Sequence, residues 1–126
     1  MNATKSSDAV PGFLASFQQT VEAFPEATAI SCGAESSGGP NISYCELDRR
    51  ARILQAELAG YGVTPGSPIA IHTHDRALAI TAMIAILRHG CPYLPLDPLY
   101  PQDRLEYIAS HADAALTITD NDDFRS

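Results

Sequence analysis

The stretch LRHGCPYLPLDPLYPQDRL, residues 87–105, contains the joints that decide the fold. Gly90 ends an apolar helical segment, because glycine readily adopts the left-handed backbone found at helix ends. Tyr93–Leu96 then predicts a short strand, which the Asp97-Pro98 pair breaks. Pro101 suits the first position of a new helix, where the N–H that proline lacks would be unbonded anyway. This stretch therefore predicts a helix, a strand and a helix in immediate succession.

Elements of the same two kinds continue on both sides of this stretch. Before it, Pro68–Thr73 has the pattern of a strand, and Arg76–Arg88 that of a helix covered on most sides. After it, a helix precedes the strand Ala115–Thr119, and its inner face is apolar: Leu105, Ile108, Ala109 and Ala112. This alternation indicates an α/β fold with a parallel sheet and flanking helices. Three such strands form only a partial sheet.

The N-terminal part of the chain predicts a helix followed by a short hairpin. Residues 1–11 are small and polar, and we expect a disordered start there. Apolar residues then recur at helical spacing: Phe13, Phe17, Val21 and Phe24. Pro25 ends this helix, because the residue before proline avoids the helical conformation. Ala29–Cys32 and Asn41–Ser43 predict two paired strands on either side of the flexible loop Gly33–Pro40.

Ser43 and Glu46 have the spacing of a capping box at the start of a second helix. In that motif the serine hydroxyl accepts from the N–H of Glu46, and the glutamate accepts from the N–H of Ser43. The helix that follows has a regular apolar stripe, which we expect to be buried: Leu47, Ala51, Leu54 and Leu58. Glu46 with Arg50 and Asp48 with Arg52 are spaced for ion pairs.

Composition restricts the possible partners. The chain has 126 residues, 45% of them hydrophobic, which fits one globular domain. Its net charge of -7 disfavours nucleic acid as a partner. The longest mostly apolar run, Ala77–Leu87, is too short for a membrane span of roughly 20 residues. The N-terminus lacks the apolar stretch of a secretion signal, and we expect a cytoplasmic location.

The sequence gives little indication of a metal site or of a catalytic nucleophile. The three cysteines, Cys32, Cys45 and Cys91, are too widely spaced for a zinc site, and we expect the latter two to be small buried residues. His72 and His74 lie two apart on a strand, so both point to one side, but a third ligand is missing nearby. Three acidic residues near the C-terminus do not form a complete calcium loop, since the required Gly and Glu are missing: Asp120, Asp122 and Asp123.

Two segments resemble the conserved motifs of adenylate-forming, AMP-binding enzymes, and most closely those of nonribosomal peptide synthetase adenylation domains. ISYCELDRRARILQAEL, residues 42–58, resembles the first motif through Ser43, Tyr44, Glu46 and Leu47. Residues 87–105 resemble the second, longer motif in the following positions: Gly90, Tyr93, Pro95, Leu96, Asp97, Pro98, Tyr100, Pro101, Arg104 and Leu105. The sequence departs from that motif at His89, where the family usually has Ala, and at Pro92, where a small residue is usual.

The resemblance implies that residues 12–120 are the leading part of the large N-terminal domain of an adenylate-forming enzyme, followed by a polar tail over residues 121–126. In the family, a substrate carboxylate attacks the α-phosphate of Mg-ATP, giving an acyl-adenylate and pyrophosphate. The family's phosphate-binding loop, adenine contacts, substrate pocket and catalytic lysine have no counterpart in this chain. We therefore expect no catalytic, cofactor-binding or metal-binding residue here. Mg-ATP is implied only for the intact parent domain.

The motif residues have structural interpretations beside the functional one. The capping box explains Glu46 without catalysis, and an Asp-Pro turn explains Asp97, although Asp97 holding a loop near the active site stays open. The leading hypothesis is a truncated piece of an amino-acid-activating ligase, inactive alone. Its rivals are a non-catalytic module that docks on a partner synthetase or other α/β protein, and a degraded gene product. Expected partners are the remainder of the adenylation domain or a second copy, through exposed apolar surface.

Overall fold

The computed structural model describes the backbone of residues 2–31, 41–119 and 124–125, and the side chains of residues 12–31 and 41–119. Its helices are α1 (Asn2–Ala23), α2 (Tyr44–Gly60), α3 (Arg76–Arg88) and α4 (Gln102–His111). Its strands are β1 (Thr28–Ile30), β2 (Ile42–Ser43), β3 (Ile69–His72), β4 (Tyr93–Pro95), β5 (Leu116–Thr119) and β6 (Phe124–Arg125). The chain divides into two compact units, residues 1–50 and 51–126.

The first unit contains the predicted hairpin. β1 and β2 pair antiparallel, with Thr28 opposite Ser43 and Ile30 opposite Ile42. This confirms the pairing, although the strands are shorter than predicted. Cys32 and the loop over residues 33–40 lie outside the described residues.

Helix α1 ends at Ala23, as Pro25 predicts, but begins earlier than predicted. Its first residue is Asn2, whereas the disordered start over residues 1–11 stays a prediction. Residues 2–10 contain neither glycine nor proline, and Pro11 lacks the N–H that would donate to the preceding turn. The predicted apolar face is buried at Phe17 and Val21, but Phe24 is 63% exposed because it lies beyond the helix end. Phe13 is 42% exposed, one turn before the buried part of this face.

The second unit is organised around β3. The sheet order is β4-β3-β5-β6, and β3 pairs parallel with both β4 and β5. This confirms the predicted parallel sheet with flanking helices. The polar tail over residues 121–126 stays a prediction; within it, β6 pairs antiparallel with β5 and places Phe124 opposite Ile118. An otherwise unpaired strand edge gives such a short segment a place to bond.

The core is aliphatic. Ala70 of β3 forms a cluster with Leu96 and Leu105, against which three partly buried residues pack: Leu94, Ile108 and Ala114. The largest fully buried side chains are Leu58, Ile69, Ile84, Ile86 and Ile118. The predicted stripe of α2 is buried at every position: Leu47, Ala51, Leu54 and Leu58. Within the described residues, no helix combines the length and apolar character that crossing a membrane requires.

The helix ends of the second unit use three different devices. Asp75 caps α3 by accepting from the N–H groups of Ala77 and Leu78, at 2.9 and 3.4 Å. Gly90, just beyond α3, has a φ of 81°, and its N–H donates to the Leu87 carbonyl. Pro101 is the N-cap of α4 rather than its first residue, because its ψ of 155° is extended. The predicted position of Pro101 was therefore wrong by one residue.

The positive φ of Gly90 generates the first prediction. Gly90→Ala should lower the free energy of unfolding by about 1 kcal/mol, because a Cβ strains left-handed backbone. Gly60→Ala is the matched control, since Gly60 closes α2 with open space around its Cβ position, and it should change stability by at most about 0.5 kcal/mol. Urea denaturation of both variants measures the difference. Equal midpoints for the two variants would contradict the strain at Gly90.

Candidate functional site

The first motif lies where β2 passes into α2, and its backbone donors are already bonded. The N–H of Tyr44 donates to the Ala27 carbonyl and that of Cys45 to the Pro25 carbonyl, each at 3.0 Å. The N–H of Glu46 donates to the Ser43 hydroxyl oxygen at 3.2 Å. The first turn of α2 is therefore capped by the chain itself. This confirms the serine half of the predicted capping box.

The prediction for the glutamate half of the capping box was wrong. Instead of accepting from the N–H of Ser43, the Glu46 carboxylate accepts from Arg49 Nε at 3.0 Å and Arg49 Nη2 at 2.7 Å. It also accepts from Arg50 Nε at 2.7 Å, which confirms the predicted pair with Arg50. Hydrogen bonds from Arg49 and then Arg50 lower the pKa of Glu46 to about 2. Two guanidinium groups one turn away offer stronger, charged donors than a neutral N–H.

The other residues of the first motif also contact the chain's own residues. The Tyr44 ring lies 6.3 Å from the Phe17 ring, centroid to centroid, and Leu47 is buried. Cys45 is exposed, which corrects the expectation that it is buried, and its Sγ lies 3.4 Å from the Ser43 hydroxyl. A position in the first helical turn, outside the buried stripe, leaves the thiol at the surface. The predicted pair of Asp48 with Arg52 stays a prediction.

The second motif begins with the joint after α3. His89, one of the two departures from the family pattern, places its Nε2 2.7 Å from the Val63 carbonyl oxygen. The Gly90 carbonyl accepts from the N–H of Gly66 at 2.9 Å. These contacts tie the end of α3 to the turn that precedes β3. Sequence reasoning missed the bond of His89, because its partner is distant along the chain.

The strand and turn that follow are held by backbone hydrogen bonds. The carbonyl of Pro92 accepts from Ile69, and the N–H of Leu96 donates to Ile71, at 3.1 and 2.8 Å. Pro92 therefore keeps a role in the β3–β4 ladder as an acceptor, although it lacks an N–H. Asp97 Oδ1 accepts from the N–H of Leu99 at 2.9 Å, and the Asp97 carbonyl accepts from Tyr100. The side chain of Asp97 thus starts the turn, as its position before Pro98 predicts.

The end of the second motif joins this turn to α4. The Arg104 guanidinium lies over the Tyr100 ring, 4.9 Å from its centroid. Leu105 is buried in the Ala70–Leu96 cluster, and Cys91 is buried as predicted. Tyr93 and Pro95 lie on β4, where they are exposed. The structure thus brings the second motif together as one strand-turn-helix segment.

The prediction that both histidines lie on one strand was wrong. β3 ends at His72, so strand alternation no longer controls His74, which is exposed. The Nε2 of His72 is buried and has no hydrogen-bond partner among the described residues. Within that part of the chain, no group of three or more His, Cys, Asp or Glu side chains could hold a metal ion. The acidic residues 120, 122 and 123 lie outside it.

Comparison with known proteins gives a consistent result. The sequence model described as "AMP-binding enzyme" matches residues 17–126. The chain is 38% identical over 104 residues to malpinin synthetase of Mortierella alpina, covering 82% of this chain and 1% of that protein. It is 38% identical over 103 residues to tyrocidine synthase 3 of Brevibacillus parabrevis, covering 82% of this chain and 2% of that protein.

A solved structure shows the same fold. The N-terminal subdomain of Klebsiella oxytoca NpsA matches with a TM-score of 0.72 and 23% identity, over 83% of this chain and 26% of that one. The chain thus spans a small fraction of the curated relatives and about a quarter of this subdomain.

The capping bond of Ser43 generates the second prediction. Ser43→Ala should lower the free energy of unfolding by about 1 kcal/mol, because the N–H of Glu46 loses its acceptor. Ser110→Ala is the control, since Ser110 is exposed within α4 and alanine favours a helix. Urea midpoints measure both variants. A loss of less than a few tenths of a kcal/mol for Ser43→Ala would show that this bond does not stabilise the fold.

The third prediction concerns the charge of Glu46. Its pKa in the folded chain, about 2, lies below the usual 4.5, so the carboxylate stabilises the fold above pH 4.5 and loses this effect as the pH falls toward 2. In Glu46→Gln, the denaturation midpoint should therefore fall less between pH 5 and pH 2 than in the natural chain.

The double variant Arg49→Gln/Arg50→Gln provides the control, because it keeps the carboxylate and removes the two donors that lower its pKa. It should show the same weakened pH dependence as Glu46→Gln. An unchanged slope in either variant would contradict the role of this cluster.

Proposed function

The chain belongs to the AMP-binding enzyme family, and from that premise we propose that it is the leading segment of an ATP-dependent, amino-acid-activating adenylation domain that does not form the acyl-adenylate by itself. The observation that carries the proposal is the match over residues 17–126, which includes both motifs in the order seen in the sequence. The similarity to malpinin synthetase and tyrocidine synthase 3, together with the motif resemblance to nonribosomal peptide synthetases, supports amino acids as the substrate class. A cytoplasmic location stays a prediction.

The family motifs, in this proposal, stabilise the fold and do not contact substrate. Ser43, Tyr44, Glu46 and Leu47 fix the start of α2 through bonds within the chain. Three other residues shape the connections before and after β4: Gly90 through its positive φ, Asp97 through a hydrogen bond, and Arg104 through its contact with the Tyr100 ring. Pro101 caps α4.

The starts of α2 and α3 do not fit the phosphates of Mg-ATP. A phosphate site on a helix needs free N–H groups at the helix N-terminus. In α2 the first three N–H groups donate to Ala27, Pro25 and Ser43, and in α3 the Asp75 carboxylate takes two of them. The Asp75 charge also repels phosphate. Arg49 and Arg50, which could neutralise phosphate, are bonded to Glu46.

The rest of the reaction therefore requires residues other than those described. A parent domain bound to Mg-ATP would supply the cations and oriented N–H groups that stabilise the charge developing on the α-phosphate. No step through Mg-ATP is assigned to this chain. Its contribution to the parent is the β3 sheet and the helices that cover it.

A binding role is the second candidate, and exposed apolar side chains favour it. Leu99 is 82% exposed, Tyr107 is 67% exposed and Tyr61 is 59% exposed. Large aromatic and aliphatic groups at the surface often mark contacts with other polypeptides. The remainder of an adenylation domain, or a second copy of the chain, would cover them.

The fourth prediction tests the proposed lack of activity. The 126-residue chain should give no ATP–pyrophosphate exchange above a protein-free blank with any common amino acid, because the family's phosphate-binding loop and catalytic lysine have no counterpart in its sequence. An intact adenylation domain assayed in parallel shows that the assay reports exchange. Turnover above the blank that persists through repurification would overturn the proposal.

A further inference from the structure

We propose that His72 is a contact residue for the remainder of the AMP-binding subdomain, to which its imidazole Nε2 makes a hydrogen bond. The partner group lies on a polypeptide segment other than the described residues. This inference rests on the proposed function, in which the chain is the leading segment of such a domain. The Nε2 of His72 is thus one atom through which the chain contacts the remainder of the subdomain.

His72 alone among the four histidines has an unsatisfied buried nitrogen in the described part of the chain. Its Nε2 is buried without a hydrogen-bond partner there. His89 bonds to the Val63 carbonyl, His111 stacks on Tyr107 with centroids 5.6 Å apart, and His74 has an interaction of its own. An unmade hydrogen bond at a buried polar atom costs about 1–3 kcal/mol. Such a cost is removed when a partner group arrives.

The position of His72 in the sheet also favours a contact with added polypeptide. It is the last residue of β3, and its register partner is Thr119, the last residue of β5. Strand alternation places it on the same face as Ala70, whose cluster contains Leu96 and Leu105. The carboxyl ends of parallel strands are where open α/β sheets receive additional groups. His72 therefore lies at the end of the central strand where new contacts are expected.

The group that bonds to His72 is inferred from the part of the subdomain that this chain does not cover. The chain covers 26% of the Klebsiella oxytoca subdomain that shares its fold, so other residues supply most of that subdomain. His72 as a whole is only partly buried, and the χ2 angle of histidine is broadly variable. Rotation about χ2 can therefore turn Nε2 from its buried position toward an incoming backbone or side-chain polar group. That incoming group belongs to the remainder of the subdomain.

The experiment mixes the purified chain with the Klebsiella oxytoca NpsA N-terminal subdomain from which the matching 26% has been removed. Titration of the labelled chain measures the dissociation constant of the complex. His72→Phe should weaken binding about tenfold, the effect of one lost hydrogen bond. The same variant should leave the urea midpoint of the isolated chain unchanged or raise it, because an unsatisfied buried nitrogen is removed.

Two further variants keep the test specific. His111→Phe makes the same substitution on the exposed face of α4 and should leave binding unchanged. His72→Gln keeps a hydrogen-bonding group and should bind within roughly threefold of the natural chain. A specific loss in His72→Phe, restored in His72→Gln, supports the contact.

The remaining outcomes separate the two proposals. If the natural chain binds and His72→Phe binds equally well, the contact at His72 is overturned while the leading-segment function stands. If His72→Phe lowers the urea midpoint of the isolated chain, Nε2 already has a partner within the chain, and the inference fails. If the natural chain does not bind the remainder, the proposed function falls, and the inference falls with it.

Discussion

The parallel pairing of β3 with both β4 and β5 is the constraint on which the second unit depends. A parallel pair cannot be closed by a tight hairpin, so each neighbour of β3 must be reached through a helical crossover. α3 leads from β3 to β4, and α4 leads from β4 to β5. Ile69, Ala70 and Ile71 are buried, with β4 and β5 bonded to the two edges of β3 and α3 packed against it. The unit therefore has its most apolar strand at its centre.

The joints between these elements explain why the second motif has its particular residues. Gly90 takes the left-handed backbone that lets the chain leave α3, and Asp97 forms the turn that lets it leave β4. Leu96 and Leu105, on either side of this turn, then reach the same cluster with Ala70. A motif of this kind specifies how strand and helix meet. Its match to a family therefore indicates a shared fold more directly than a shared chemistry.

The sequence could predict those features that depend on neighbours close along the chain. The alternation of elements, the extent of α3, the buried stripe of α2 and the Asp97 turn all follow from local spacing and local hydrogen bonding. It could not predict the bond between His89 and Val63 or the pairing of β6 with β5, because neither leaves a signal in the local spacing of residues. The hydrogen bonds of Glu46 with Arg49 and Arg50, in place of one with the N–H of Ser43, were missed for another reason. A carboxylate near both neutral and charged donors bonds more strongly to the charged ones.

Some polar groups of this chain have hydrogen-bond partners within it, and the buried Nε2 of His72 has none among the described residues. The starts of α2 and α3 and the turn at Asp97 bond their donors within the chain, so these regions need no ligand to be stable. These regions are therefore poor sites for phosphate. An N–H group already bonded within the fold would have to break that bond before it could donate to a phosphate oxygen. His72 is different, because its buried Nε2 has no partner among the described residues, although it ends the central strand. The starts of α2 and α3 and the Asp97 turn therefore bond their own donors, whereas at the carboxyl end of β3 a polar group added beside His72 would gain a hydrogen bond without breaking one.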